Sequence, residues 1–221
     1  MLNENLQLYF RKHFNIVTQT LRFRIMPTEI HNCIQGWVTS EMMRWVGLGL
    51  FDLYETGLIE AESNTTIHFP HPPYAGSTKE PDVAIKHRRQ CVPPIVFETG
   101  WSETYQQLLD DMNLWLVGGN GAVKVAVIVN WQLIGGGRVS GTMEVYGLDR
   151  AGMPIRRQTE VIFPKPPQAI ASAQQITFSR RMLLGDSIQP GRNPRTLLPF
   201  RIDMLREKAR DAFEIMGLAP A

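Results

Sequence analysis

EPDVAIK at residues 80–86, PPIVFETG at 93–100, SETYQQLLDDMNLWL at 102–116 and VKVAVIVNW at 123–131 together decide the fold. They read as strand, strand, helix and strand, with one carboxylate inside each of the first two apolar strands. An ionised side chain is costly to bury, so a carboxylate in a core strand needs a cation or a hydrogen-bonding partner. Alternation places Asp82, Ala84 and Lys86 on one face of the first strand and Val83 with Ile85 on the other. In the second, Val96 and Glu98 share a face opposite Ile95 and Phe97. Paired as a hairpin through residues 87–94, the strands project Asp82 and Glu98 to the same side, and oxygen ligands so placed suit Mg²⁺ or Mn²⁺ rather than zinc.

This ordered set resembles the PD-(D/E)xK nuclease superfamily, whose core is a strand–strand–helix–strand unit. Pro81-Asp82 matches the PD element and Glu98-Thr99-Gly100 the (D/E)xK element, with fifteen residues between Asp82 and Glu98. With MPTEIH at 26–31 and PPIVFETGWSET at 93–104, the chain is similar to the restriction endonuclease-like branch and its divergent fungal relatives. The resemblance covers roughly residues 24–131. It implies an α/β fold with a restriction-endonuclease-like mixed sheet flanked by helices, Mg²⁺ (or Mn²⁺) on Asp82 and Glu98, and hydrolysis of DNA. Many relatives act as dimers, so the resemblance raises a homodimer as an expectation.

One departure bears on catalysis. The family lysine belongs two residues after the glutamate, where this chain has Gly100, and residues 103–117 contain no Lys or Arg. Lys86, on the predicted face of Asp82, is the candidate substitute, against the plainer reading of a solvated lysine at a strand end. Gln107, or its neighbour Gln106, is the candidate for a polar side chain reaching Glu98 from the helix. Without a substitute lysine, the alternative is a catalytically degenerate module that binds nucleic acid or a protein partner. A small-molecule enzyme on a similar sheet finds no nucleophile–base pair and no dinucleotide fingerprint here.

Further candidates lie outside this core. Thr28 is placed to N-cap a helix running to about Val46, with the stripe Ile30, Ile34, Trp37, Val38, Met42 and Trp45. Glu41 falls four residues from each tryptophan, on the packed face. By the resemblance it matches an acidic residue leaning toward the metal as a third ligand; otherwise it lies at the stripe's edge and reaches solvent. His31 opens the same helix and is read as packing, capping or contacting substrate. Lys86, His87, Arg88 and Arg89 form a basic run able to hold phosphates beside the carboxylates, or a solvated turn. Arg180 with Arg181 and Arg192 with Arg195 are weaker clusters.

Composition sets the limits. The 221 residues are 43% hydrophobic with a net charge of +2, enough for one substantial core and too little positive charge for a general nucleic-acid trap. We read one domain over 1–221, with a helical N-terminal extension (1–27), its helix at 3–17, and a C-terminal loop-helix segment (164–221). Residues 102–117 are read as a helix capped by Ser102, with Asp110 and Asp111 exposed, and 201–217 as a closing amphipathic helix. Two cysteines, Cys33 and Cys91, suggest neither a disulfide framework nor a zinc cluster. With no secretory signal or membrane-span pattern, the expectation is a soluble intracellular protein.

Overall fold

The computed structural model describes residues 11–24, 28–63, 65–101 and 103–221. Strands β1 (Arg11–Asn15) and β2 (Thr20–Arg24) form an antiparallel hairpin. This corrects the helix expected over 3–17 for its residues 11–17; residues 3–10 lie outside the described residues. The turn is local chemistry, since the Asn15 side-chain oxygen accepts from the backbone N–H groups of Val17 and Thr18. His13 and Asn15 are buried while Lys12 is exposed, the two-residue period of a strand.

Helix α1 (Glu29–Gly47) follows the expected stripe, burying Ile30, Ile34, Trp37, Val38 and Trp45. Thr28 holds the N-cap position, but its hydroxyl pairs with His31 Nδ1 at 2.8 Å instead of capping the backbone. A short α2 (Leu53–Thr56), closed by the Asp52–Glu55 capping box, leads into β3 (Ile59–Glu62), β4 (Ile67–Phe69) and β5 (Ser77–Lys79). The core unit is β6 (Val83–His87), β7 (Ile95–Gly100), α3 (Tyr105–Asn113) with a π-helical turn (Leu114–Gly118), and β8 (Val125–Ile134). Strands β6 and β7 pair antiparallel in the register Val83↔Phe97, Ala84↔Val96, Ile85↔Ile95, and β7 runs parallel to β8. The N-cap of α3 is Thr104, not Ser102, which lies outside the described residues.

Strands β9 (Arg138–Leu148) and β10 (Pro154–Phe163) extend the sheet as an antiparallel pair. Between the loops expected at 164–167 and 189–199 the chain holds α4 (Gln168–Ala171), β11 (Gln175–Ser179) and α5 (Arg180–Leu184), and β12 (Leu197–Arg201) begins inside the second of those loops. This segment is ordered because β11 and β12 pair and insert Phe178 and Phe200 into the main core. Helix α6 (Ile202–Ile215) and β13 (Ala219–Pro220) end the chain.

The molecule is thus a mixed α/β structure. Its main sheet runs β10-β9-β8-β7-β6-β3, with β13 beside β9, and a second sheet runs β2-β1-β5-β4. Alternation splits the core in two. Val83, Ile85, Ile95, Phe97, Val127 and Val129 pack with α1, β11, β12 and α6. Ala84, Val96, Ala126 and Ile128 pack on the opposite face with Leu108, Met112 and Trp115 of α3 and its π-turn, and with Phe69 of β4. Among the described residues no helix is long and apolar enough to cross a membrane.

Candidate active site

The two strand carboxylates lie on the α3 side. Glu98 shares the parity of Val96, whose side chain packs under α3, and is 1% exposed. Asp82 immediately precedes β6 and is 5% exposed; its Oδ2 accepts the Thr99 backbone N–H at 2.8 Å, which ties it to the neighbouring strand. The expected convergence of these two residues is therefore a product of the β6–β7 register.

What completes the cluster comes from the small sheet and from α3. Strand β5 ends at Lys79, 4% exposed, and its ammonium lies 3.0 Å from Glu98 Oε2 and 2.8 Å from Asp111 Oδ2. Burial alone drives a lysine toward neutrality, but the surrounding Asp111, Glu98 and Asp82 carboxylates outweigh it and hold the pKa above its ordinary value. Lys79 is therefore a fixed positive charge at neutral pH and not a base. Glu98 Oε1 accepts the indole N–H of Trp115 at 2.7 Å, so both oxygens are oriented. Asp111 was expected to be exposed and is 1% exposed. It also meets the Arg22 guanidinium from β2 and His13 Nδ1 from β1, the latter at 3.3 Å.

The small sheet thus supplies the cations and the main sheet with α3 the carboxylates. Asp111 had a signal in the sequence, because it sits three residues after Leu108 and four before Trp115, on the helix face that packs. Lys79 had none, since its role depends on β5 pairing with β1 and β4.

Gly100, at the position where the PD-(D/E)xK pattern has its lysine, has a physical explanation. A Cβ at this position would lie 2.7 Å from Leu108 Cδ1 and 3.2 Å from its Cγ. Leu108 is itself 1% exposed, so α3 fills the space that a lysine side chain would need.

The remaining sequence candidates lie elsewhere. Glu41 is fully buried, but on α1, across the sheet from Glu98; its Oε1 takes the Arg201 guanidinium at 3.0 Å and Arg44 lies 3.8 Å from Oε2. It is neither a solvent-facing edge residue nor brought to Asp82 and Glu98. Lys86 pairs with Glu62 at 2.6 Å, and Arg88 with Glu60 at 3.1 Å, both carboxylates of the edge strand β3. Four residues of strand, about 13 Å, separate Lys86 from Asp82. Arg89 is exposed. Gln107 closes the capping box with Thr104 instead of reaching Glu98. Arg180 and Arg192 hold the buried Glu55, which makes them a structural tie.

As a metal site the donor set fits in kind. Glu98 on β7 and Asp82 just before the adjacent β6 are hard oxygen donors, and Mg²⁺ commonly binds through one or two carboxylates with water completing its shell. Among the described residues, no group of three or more His, Cys, Asp or Glu side chains stands at metal-binding spacing. No protein-family model matches the chain, and no curated protein matches it significantly.

Proposed function

We propose that this protein is a metal-dependent nuclease hydrolysing the phosphodiester bonds of DNA, built on a restriction-endonuclease-like fold. Asp82 and Glu98 are the ligands for Mg²⁺ or Mn²⁺, and Lys79 takes the place of the lysine that Gly100 lacks. One observation carries this reading: the Lys79 ammonium, 3.0 Å from Glu98, brings a lysine charge to the carboxylate pair from a different strand. The β6-β7-α3-β8 order supports it, being the unit that the PD and ETG motifs imply.

Asp82 and Glu98 would hold the metal, which would supply an activated water and stabilise charge on the attacked phosphate. The chain's own groups set the stage. Thr99 N–H fixes the Asp82 carboxylate, and Trp115 fixes that of Glu98. Lys79 stays protonated, so its charge orients the Glu98 carboxylate from a neighbouring sheet and the side chain does not serve as the general base. Asp111 holds the ammonium in place.

A second reading is favoured by the closure of the same cluster. Lys79, Glu98 and Asp111 are 4%, 1% and 1% exposed, the condition of an ion-pair network kept for structure. On that reading the protein is a nuclease-derived module that binds nucleic acid or a protein without cutting.

The test is cleavage of plasmid and single-stranded DNA by the purified protein with Mg²⁺, Mn²⁺ or EDTA, beside Asp82→Ala prepared identically. Metal-dependent nicking that disappears in the variant is the expected result. Absence of cleavage, or equal cleavage by both proteins, overturns the nuclease and leaves the binding module.

A further inference from the structure

A second polar cluster lies on the same sheet face as Glu98. The register aligns Glu98 with Ile128 of β8 and Ile128 with Glu144 of β9, so Glu144 stands two strands away, about 10 Å. Glu144 is 8% exposed and saturated with donors. The hydroxyls of Tyr105 and Tyr146 each donate to its Oε2 at 2.7 Å, and Arg156 donates to its Oε1 at 2.6 Å.

The buried carboxylate clamps groups that face outward. Tyr105 opens α3 and is 39% exposed, and the Arg156 side chain on β10 is 53% exposed. Tyr105 therefore presents an aromatic ring whose hydroxyl is tethered, beside a planar guanidinium whose orientation is also set. Side-chain packing alone does not call for this, because a sheet face under a helix is served at least as well by apolar residues.

We infer that Tyr105 and Arg156 form a stacking platform for an unpaired base, making single-stranded DNA the preferred substrate of the adjoining carboxylate site. The inference rests on the nuclease reading for the identity of that site. The Arg156 charge is already matched by Glu144, so the cluster is a poor phosphate clamp. What it offers a ligand is flat, polarisable surface, and rings and guanidinium planes are the groups on which bases stack with little regard to sequence. A base inside a duplex has both faces covered by its neighbours and cannot use such a platform.

The test measures binding of a fluorescein-labelled oligothymidylate and of a duplex of equal length, by anisotropy in EDTA, so that cleavage does not intervene. Wild type, Tyr105→Ala, Tyr105→Phe and Arg156→Ala are compared. Tyr105→Ala is expected to lose about ten- to a hundred-fold in affinity for the single strand, the range of one stacked base, with the duplex unchanged. Tyr105→Phe, which keeps the ring but loses the hydroxyl, should stay within about threefold of wild type, and Arg156→Ala should weaken the single strand selectively. The inference is overturned if wild type does not favour the single strand, if both DNAs weaken alike, or if Tyr105→Phe loses as much as Tyr105→Ala. Failure of the nuclease reading is distinguishable: it shows as absent or Asp82-independent nicking while single-strand binding keeps its dependence on Tyr105.

Discussion

Replacing Lys79 by methionine isolates the central feature of the site. Methionine keeps most of the side-chain length and removes the ammonium, so the Asp111 and Glu98 carboxylates, each 1% exposed, lose a partner at 2.8 and 3.0 Å. Breaking a buried pair from one side costs about 3–5 kcal/mol, because the remaining charge stays desolvated. For a chain of this size that corresponds to a fall of roughly 6–20 °C in melting temperature, at about 2–4 °C per kcal/mol. Arg22 also meets Asp111 and softens the loss there, which places the expectation toward the lower end.

Urea denaturation of wild type, Lys79→Met, Asp111→Leu and the double variant gives the assay. Because the two residues share one interaction, the double variant should be less destabilised than the sum of the singles, with a coupling above about 1 kcal/mol. The pH dependence adds a separate check. Lys79 titrates above its ordinary 10.5 when folded, so its stabilisation is fully present below that value and fades as pH rises through the higher folded one. The gap between wild type and Lys79→Met should hold steady from neutral pH to about 10 and narrow above it. A loss under about 1 kcal/mol, additive singles, or a gap unchanged at strongly alkaline pH would refute the charge-centred account.

Two further outcomes follow from the packing. Gly100→Lys should lower stability by about 1–3 kcal/mol, as overpacking does, through its contact with Leu108. Partial recovery on adding Leu108→Ala checks the cause, and full stability in Gly100→Lys alone contradicts it. The two cysteines should separate under a thiol reagent without denaturant: exposed Cys91 reacts, while Cys33, whose pKa burial pushes up to about 12, does not until the protein unfolds. Mass mapping of the labelled peptides reads this directly, and prompt labelling of Cys33 would contradict its burial.

The parts of the fold legible in the sequence were those set by local periodicity. The alternation in VAIKH and IVFETG gave both the β6–β7 pairing and the convergence of Asp82 with Glu98, and the stripes of α1 and α6 appeared where their spacing put them. The N-terminal hairpin was missed because RKHFNIV carries enough apolar spacing for a helix, and only the Asn15 side chain, bonded to the two N–H groups of the turn, shows that the chain reverses. The β11–β12 pair was missed because proline and glycine around residues 189–199 outweighed the short alternation of QITFS. Lys79 could not be read at all. It lies 32 residues from Asp111, and their meeting depends on how the second sheet docks on the first.

That docking ties the chemistry of the site to its architecture. In the family pattern the lysine stands on the same strand as the glutamate, so one strand carries both groups. Here Leu108 packs at Gly100 and closes that position, which lets α3 lie directly on β7. The cation beside Glu98 comes from the other side of the cluster, and it comes with a whole sheet: Lys79, Arg22 and His13, on β5, β2 and β1, all meet Asp111. Asp111 therefore joins two tasks, securing the small sheet against α3 and holding the Lys79 ammonium beside Glu98. Placement of the charge at the proposed active site is thus inseparable from folding of the N-terminal hairpin, and a change that loosens β1 or β2 should disturb Lys79 without touching either strand carboxylate.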